Sequence, residues 1–413
     1  MAVQEEALHI LFFPFLASGH LIPTADMAAL FAGRGVRCTI LTTPVHAAII
    51  RSAVDRANDA FTGTGCPAID IAVVPFPDVG LPPGVENGTA LTSQDDRDKL
   101  FHAAQLLRES FDRFLADHRT DAVVSDSFFH WSVDAAAERG VPRIAFLGSS
   151  MFARACSDSM MRHNPLENAP DDPDALVLLP GLPHRVELRR SQMMDPAKMT
   201  WQWEFFKSVN AADQRSFGEV FNSFHDLEPD YVEHFQKTLG RRVWLVGPVA
   251  LASKDMAVRG TDVPSPDAGS CLRWLDAKPS GSVVYVSFGT LTKFAPAEMH
   301  QLARALDLSG LHFAWFNNEK LVVELLKVGV SIGAKDYASG IQAHEVIAGE
   351  VIAESIQRLM EGDDIQKKAK DLGLKARSAV EKGGSSYDDV GRLMDVLTAR
   401  RSSVKIGEDI QAS

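Results

Sequence analysis

Leu8-His9-Ile10-Leu11-Phe12-Phe13-Pro14-Phe15 is a continuous apolar run, which is typical of a strand that is buried on both faces. A tight loop, Ser18-Gly19-His20, follows it, and Pro23 stands at the expected first turn of a helix over Leu21–Arg34. This order places the imidazole of His20 at the carboxyl edge of a sheet, where open α/β folds bind ligands. A histidine there can accept a proton near neutral pH, although a solvated loop histidine is the simpler interpretation of this residue alone.

The first part of the chain repeats this alternation of short apolar runs and helical patterns. Helices are expected over Asp98–His118 and His130–Arg139, and Gly140 follows the second where a C-cap glycine belongs. Apolar strands that alternate with helices predict a parallel, doubly wound sheet. The predicted strands are Leu8–Phe15, Val36–Thr42, Ile69–Pro75, Asp121–Ser125 and Arg143–Leu147.

A second α/β unit follows the loosely composed segment 247–269, the best linker candidate. Its strand patterns are few, at Ser282–Phe288 and Leu311–Phe316, with a short strand at most over Gly329–Gly333. Helices dominate the rest, and two or three isolated strands do not make a sheet that covers both faces. The predicted helices are Pro296–Asp307, Asn317–Val328, most of Ala343–Glu381 and a last helix to about Arg400, which Ser385 or Ser386 can cap.

Length, charge and cysteine content bound the functional class. The 413 residues suggest two domains, and a net charge of −12 argues against nucleic acid and anionic membranes as partners, so small neutral or phenolic ligands fit better. The four cysteines form no close pair, so neither a zinc site nor a disulfide framework is indicated. The first residues are typical neither of a signal peptide nor of a membrane span. We therefore expect a cytoplasmic protein. We also expect it to be a monomer.

Asp126 ends the predicted fourth strand and so shares the carboxyl edge with His20. A histidine base needs a further group that fixes its tautomer and steadies the imidazolium, and a carboxylate does this best. The alternative for Asp126 is an N-cap of the helix that follows. Together the two residues favour a catalytic base with its orienting carboxylate.

Short motifs along nearly the whole chain carry a specific likeness. They are Gly19–Pro23, Ser125–Trp131, Pro180–Pro183, Phe221–Phe224, Leu227-Glu228, Val246–Pro248, Cys271–Asp276, Tyr285–Thr290 and Gly383–Ser386. With them the chain resembles the plant family 1 UDP-glycosyltransferases, and most of all the branch that conjugates flavonoids, other phenolics and plant hormones.

The resemblance implies a GT-B fold of two facing Rossmann-like domains, with the acceptor in the first and the nucleotide sugar in the second. It implies that His20 deprotonates an acceptor hydroxyl and that Asp126 orients His20. The hydroxyl then attacks the anomeric carbon and inverts it, and UDP leaves. The co-substrate is UDP-glucose or another UDP-sugar, with no cofactor and no metal. We expect an acceptor domain at 1–246, a linker at 247–269, the nucleotide-sugar domain at 270–385 and a C-terminal helix and tail at 386–413.

Matching positions also suggest donor contacts. Ser18 and Gly19 correspond to family positions that approach the nucleotide sugar, and Ser149 to one where the family more often has threonine. Gly289 and Thr290 follow the strand Ser282–Phe288, so amide and hydroxyl donors can face an anion there. For Ser149 and its neighbour Ser150, helix capping is the alternative.

Two other groups of residues admit a structural explanation. Asp96-Arg97-Asp98 imitates a metal-binding acidic pair but opens a predicted helix, where acidic residues are ordinary. Eight aromatic side chains could line an acceptor pocket, although we expect most of them in the core and two or three against ligand. They are Phe128, Phe129, Trp131, Phe152, Trp201, Trp203, Phe205 and Phe206.

One part of the family pattern is missing. The nucleotide-sugar signature box, several dozen residues long, belongs between a strand and a helix that are here fused at Trp315–Phe316. We therefore expect an incomplete second domain and impaired or absent transfer. A non-catalytic acceptor-binding or decoy splice variant is the alternative. An NAD-dependent dehydrogenase fits poorly, because the first loop lacks the Gly-x-Gly-x-x-Gly pattern.

Overall fold

The computed structural model describes residues 6–91, 93–252, 273–279, 282–283, 296–309, 320–332 and 346–411. The chain divides into two compact units. The first unit combines 1–155, 204–263 and 376–413, and the second combines 156–203 with 264–375. The predicted domain boundaries stay a prediction, since much of 247–295 lies outside the described residues.

A parallel sheet of seven strands organises the first unit, in the order β3-β2-β1-β4-β5-β8-β9. All five strands predicted in the first part of the chain are present. A separate antiparallel pair, β6 with β7, lies in the second unit. The strands are β1 His9–Phe13, β2 Arg37–Thr42, β3 Ile69–Val73, β4 Ala122–Asp126, β5 Arg143–Phe146, β6 Leu176–Leu179, β7 Val186–Arg189, β8 Gly218–Phe221 and β9 Val243–Leu245.

Helices connect the strands and make up most of the described C-terminal part. The α-helices are α1 Ser18–Ala32, α2 Pro44–Phe61, α3 Gln94–Leu106, α4 Arg108–Asp117, α5 Ser132–Ala137, α6 Met151–His163, α7 Thr200–Arg215, α8 Pro229–Glu233, α9 Val249–Ala252, α10 Pro296–Ser309, α11 Gly349–Glu361, α12 Asp363–Val380 and α13 Ser385–Gln411. Short 3₁₀ turns cover Gly88–Ala90, Pro165–Asn168 and Arg190–Gln192, and π-helical segments cover His234–Thr238 and Lys320–Leu325.

Both faces of strand β1 are buried, which explains its unbroken apolar sequence. Ile10 and Phe12 belong to one hydrophobic core, which α1 and α2 cover. Leu11 and Phe13 point the other way, into a second core with side chains of α3 and α4. Alternate side chains of a strand lie on opposite faces, so a strand between two cores needs apolar residues at every position.

The C-terminal helix α13 completes the first unit. Leu393 and Leu397 are buried in the same core as β1, and Asp389 accepts a hydrogen bond from the amide of Leu245 at 2.9 Å. The prediction that Ser385 or Ser386 caps this helix is wrong. The helix begins at Ser385, and the hydroxyl of Ser386 donates instead to the carbonyl of Gly247 at 2.5 Å.

Three predicted details differ from the structure. Helix α1 begins at Ser18 rather than Leu21, so His20 lies in its first turn and Pro23 inside the helix. Pro23 has no amide hydrogen, so the carbonyl of Gly19, four residues earlier, receives no helical hydrogen bond from it. The predicted helix Asp98–His118 is two helices that divide at Leu107. Residues 329–332 form no strand, and the predicted strand Leu311–Phe316 lies outside the described residues.

In the second unit, α10 and α11 pack through Ala305, Ile352 and Ile356. Gly349 begins α11 where a Cβ would lie 2.8 Å from the carbonyl oxygen of Gln301, so only glycine fits this crossing. Among the described residues, no helix combines the length and apolar character that a membrane crossing requires.

Candidate functional site

The candidate site lies where the strand order of the large sheet reverses. From β1 the chain moves outward through β2 and β3, whereas β4 leads to β5 and β8 on the other side. Ligands of open α/β sheets bind at the carboxyl ends of strands beside such a switch point. His20 follows β1, and Asp126 is the last residue of its neighbour β4.

The structure brings these two residues into direct contact. Nδ1 of His20 lies 2.7 Å from Oδ2 of Asp126, with 21% of the histidine side chain and none of the aspartate side chain exposed. A carboxylate only accepts, so Nδ1 carries the proton and Nε2 is left with a lone pair. Nε2 hydrogen-bonds no described residue.

The ionisation of His20 reflects this contact. Burial lowers the pKa of His20, but the charge of Asp126 and the hydrogen bond outweigh it, so the pKa is raised above its ordinary value. A solvated loop histidine is therefore the wrong interpretation of His20. The arrangement fits a general base with an orienting carboxylate.

The second oxygen of Asp126 fixes the chain that leaves the strand. Oδ1 accepts a hydrogen bond from the amide of Phe128 at 2.9 Å. This is a turn two residues long and not the cap of a helix, since α5 begins only at Ser132. Asp126 therefore both closes the turn and holds His20, which keeps the carboxylate in one orientation.

An aromatic cluster surrounds the imidazole. The ring centroids of Phe15 and Phe128 lie 5.6 and 5.3 Å from that of His20. Phe205 and Phe206 contact Phe128 in turn, at 5.7 and 5.9 Å. Phe128 and Phe206 are half-buried, so they can still offer a face to a ligand.

The other predicted aromatic residues differ in how far they are exposed. Phe129, Trp131, Phe152, Trp203 and Phe205 are buried, as expected of core residues. Trp201, which lies in the second unit, is half exposed.

Two loops adjoin the first turn of α1. Ser18 accepts a hydrogen bond from the side-chain amide of buried Asn87 at 3.2 Å. Gly148 has a φ of +74°, and a Cβ there would lie 3.9 Å from the carbonyl oxygen of Gly19 and from Nδ1 of His20. The loop after β5, which continues into Ser149, therefore lies against His20.

Ser149 and Ser150 differ in what their hydroxyl groups do. Ser150 caps α6, because its hydroxyl accepts the amide of Ala153 at 3.2 Å. The hydroxyl of Ser149 is buried and hydrogen-bonds no described residue. Capping thus accounts for Ser150 but not for Ser149.

The remaining predicted positions fall outside the described residues or have a structural explanation. Gly289 and Thr290 lie outside the described residues. Asp96 lies in the first turn of α3, where its amide donates to the N-cap Ser93, so ordinary helix charge explains it. Within the described ranges, no group of three or more His, Cys, Asp or Glu side chains could hold a metal ion.

Sequence reasoning missed two buried ionisable residues beside the site. Oε2 of Glu228 accepts the amides of Met151 and Phe152 at 2.6 and 3.4 Å, so it occupies the amino end of α6. Burial raises the pKa of Glu228 to about 7, although these amide hydrogen bonds act in the opposite direction. Arg143 is the first residue of the buried strand β5. Its sequence signal is a charged residue in an otherwise apolar strand, where a buried charge needs a partner.

The chain is similar to characterised plant enzymes over nearly its whole length. It is 34% identical to the anthocyanin 3'-O-beta-glucosyltransferase of Gentiana triflora, with 95% of this chain and 99% of the relative covered. It is 33% identical to the scopoletin glucosyltransferase of Nicotiana tabacum, over 96% and 99% of the two chains. No protein-family profile matches the chain.

A solved structure agrees with this likeness. The crystal structure of a Glycyrrhiza uralensis UDP-glycosyltransferase, complexed with glycyrrhetinic acid 3-O-monoglucuronide, superposes with a TM-score of 0.86. The identity is 30%, and the match covers 98% of this chain and 99% of that one. The predicted α/β fold of the GT-B type is confirmed.

The matches also show that this chain is short inside the aligned region. The Gentiana match spans 486 positions and takes in 99% of the relative but only 95% of the 413 residues of this chain, so more than 73 of these positions have no residue of this chain. The placement of this shortfall at Trp315–Phe316 stays a prediction, because both residues lie outside the described part. Because about a third of the aligned positions are identical to such enzymes, over nearly their full length, the chain belongs to the plant family 1 UDP-glycosyltransferases.

Proposed function

We propose that this protein transfers glucose from UDP-glucose to a hydroxyl group of a small phenolic plant metabolite, with inversion at the anomeric carbon. The contact between His20 and Asp126 carries the proposal. Nε2 of His20 takes the proton of the acceptor hydroxyl as its oxygen attacks the anomeric carbon, and the bond to UDP breaks. The proton then passes to solvent when product leaves.

The surroundings of His20 favour an aromatic acceptor. The half-buried ring of Phe128 lies 5.3 Å from the imidazole, and such a ring attracts planar aromatic ligands by edge and offset stacking. The relatives named for anthocyanin and scopoletin act on phenolic compounds. A flavonoid or similar phenolic is therefore the acceptor class that we propose, with a plant hormone as the other member of the expected set.

For the donor, we assign Ser18, Gly19 and Ser149 to the UDP-sugar. Ser149 keeps a hydroxyl without a described partner, and the carbonyl of Gly19 lacks its helical donor because Pro23 has no amide hydrogen. The amides at the amino end of α6 already donate to Glu228, so they are not the phosphate site. Gly289 and Thr290 remain proposed donor contacts from the sequence.

We also propose a cytoplasmic location. Of the cysteines, Cys38, Cys66 and Cys156 are free thiols, as a reducing compartment requires. The monomeric state stays a prediction.

The test is a transfer assay on the full chain with UDP-glucose and a flavonol, with the glucoside and UDP quantified by chromatography. His20→Gln should lower kcat by about 10²- to 10⁴-fold, the usual contribution of a general base. His130→Gln is the matched control, because His130 is half-buried in the same aromatic cluster, where its ring lies 5.8 Å from that of Phe205. Measurable transfer by the native chain that His20→Gln leaves unchanged would refute the proposed role.

The shortfall of aligned positions favours one alternative, an acceptor-binding protein without transfer. Titration calorimetry with UDP-glucose and with the flavonol separates the two functions. Binding of both ligands supports the enzyme, even when turnover is impaired. Binding of the flavonol alone supports the acceptor-binding protein, and binding of neither refutes both.

A further inference from the structure

The main-chain carbonyl of Asp126 is tied to a buried arginine. Nη2 of Arg143 donates to this carbonyl at 3.2 Å, while Nη1 donates to Oδ1 of Asp213 and to the hydroxyl of Ser216, both at 2.7 Å. Only 1% of the Arg143 side chain is exposed. These hydrogen bonds form away from water, where electrostatic interactions are strongest.

Arg143 is one end of a larger cluster of buried charges. The other oxygen of Asp213 accepts from Arg154 at 3.2 Å, and Arg154 also contacts Glu219 at 3.3 Å and Asn210 at 2.9 Å. Glu219 in turn accepts from Arg241 at 3.1 Å. The cluster therefore joins β4, β5 and β8 to α6 and α7.

Such a cluster adds little to stability compared with apolar packing, because each buried charge first loses its hydration. The cluster instead fixes the relative positions of the elements that it joins. The planar guanidinium of Arg143 makes three hydrogen bonds in fixed directions, to the end of β4, to α7 and to the residue after α7. The end of β4 is thereby held against α7 at the residue that orients His20.

We propose that Arg143 is a positioning residue of the catalytic pair, which fixes the main chain of Asp126 so that its carboxylate meets Nδ1 of His20. The proposal rests on the proposed function and adds a residue to its machinery. Without the guanidinium, the end of β4 keeps the amide of Phe129 and the hydroxyl of Ser125 as donors to this carbonyl, at 3.1 and 3.2 Å, but loses its link to α7.

The test compares Arg143→Met with Arg154→Met. Both variants remove one buried cation of the same cluster, and each leaves Asp213 with one arginine. We expect Arg143→Met to lower kcat by about 10²-fold with each KM within about 3-fold, since a small misplacement of a catalytic group costs that much. Arg154→Met should change kcat by less than about 3-fold. Combined with His20→Gln, Arg143→Met should have little further effect.

The pKa of His20, measured by NMR titration, is the second readout. Loss of a positive charge alone would raise this pKa, whereas a loosened Asp126 lowers it because the carboxylate is what raises it. We expect Arg143→Met to lower the pKa of His20 and Arg154→Met to leave it unchanged or raised. This measurement needs no turnover, so it tests Arg143 even if the transfer assay fails.

Equal effects of the two substitutions, on kcat or on the pKa of His20, would overturn the proposal in favour of a purely structural cluster. A raised or unchanged pKa in Arg143→Met would do the same. Circular dichroism checks that each variant is folded. If Arg143→Met does not fold, Arg143→Lys replaces it, since lysine keeps the cation beside Asp213 but lacks the planar fork that reaches three acceptors.

Discussion

Glu228 makes the stability of the first unit depend on pH. The residue is 2% exposed, and one of its carboxylate oxygens, Oε1, hydrogen-bonds no described residue. Burial raises its pKa from 4.5 to about 7. Between these two values the folded state keeps a proton that the unfolded state has released, so the free energy of unfolding falls as the pH rises through this window.

The size of the effect follows from the shift. A difference of about 2.5 pKa units corresponds to about 3 kcal/mol at pH values above 7. That is a large part of the 5–15 kcal/mol by which a domain is typically stable. Glu228 holds the amino end of α6, which follows the Gly148–Ser150 loop beside His20. The ionisation of Glu228 therefore also acts on the segment next to the candidate site.

Glu228→Gln tests this reasoning, since glutamine stays neutral and keeps an oxygen for the amide of Met151. We expect equal stability of variant and native chain only below about pH 4, and a variant that is more stable by about 1 kcal/mol at pH 5 and by up to about 3 kcal/mol at pH 8. Urea unfolding at pH 5, 6, 7 and 8 gives the difference in the free energy of unfolding between the variant and the native chain at each pH. The contributions of the other titrating groups cancel in this difference. Glu167→Gln, at an exposed position, is the control and should show no such difference. The raised pKa of Glu228 would be refuted if the free energies of unfolding of Glu228→Gln and the native chain changed with pH in parallel, or if the variant were the less stable protein at pH 8.

Three further outcomes are expected. Asp126→Asn should lower the pKa of His20 and move the acidic limb of the pH–rate profile to lower pH, and an unmoved limb would mean that Asp126 does not raise this pKa. Leu393→Ala, at a fully buried site of α13, should destabilise the chain by about 2–5 kcal/mol in chemical denaturation, against less than about 1 kcal/mol for the half-exposed Val396→Ala. Burial raises the pKa of the Cys38 thiol, so a short iodoacetamide pulse should leave Cys38 unmodified in the native chain, and peptide mapping that finds it alkylated would contradict this burial.

The first strands of the sheet could be predicted because a strand that is buried on both faces is apolar along its whole length. Each of the five predicted strands of the first part is a short apolar run between helices, and both faces of β1 are indeed buried. The edges of helices were less predictable. Pro23 indicated the first turn of α1, but Ser18 begins the helix, because a proline inside the helix removes one hydrogen bond without ending it here.

The contact between His20 and Asp126 could be predicted because His20 lies in the segment after β1 and Asp126 ends β4, and β1 and β4 are neighbours at the switch point. The residues that support it could not. Arg143, Asp213 and Glu228 lie far apart in sequence, and only the packing of α6 and α7 on the sheet brings them near Asp126 or the loop beside His20.

This contrast explains why the short chain can keep the contact between His20 and Asp126. The residues that hold His20 and Asp126 in place, from Phe128 and Arg143 to Asn87 beside Ser18, all belong to the first unit. The predicted gap at Trp315–Phe316 falls in the other unit, among residues that none of these hydrogen bonds uses. Changes in the second unit therefore need not alter the contact between His20 and Asp126, so we expect this contact and the raised pKa of His20 to persist even if UDP-glucose binds weakly.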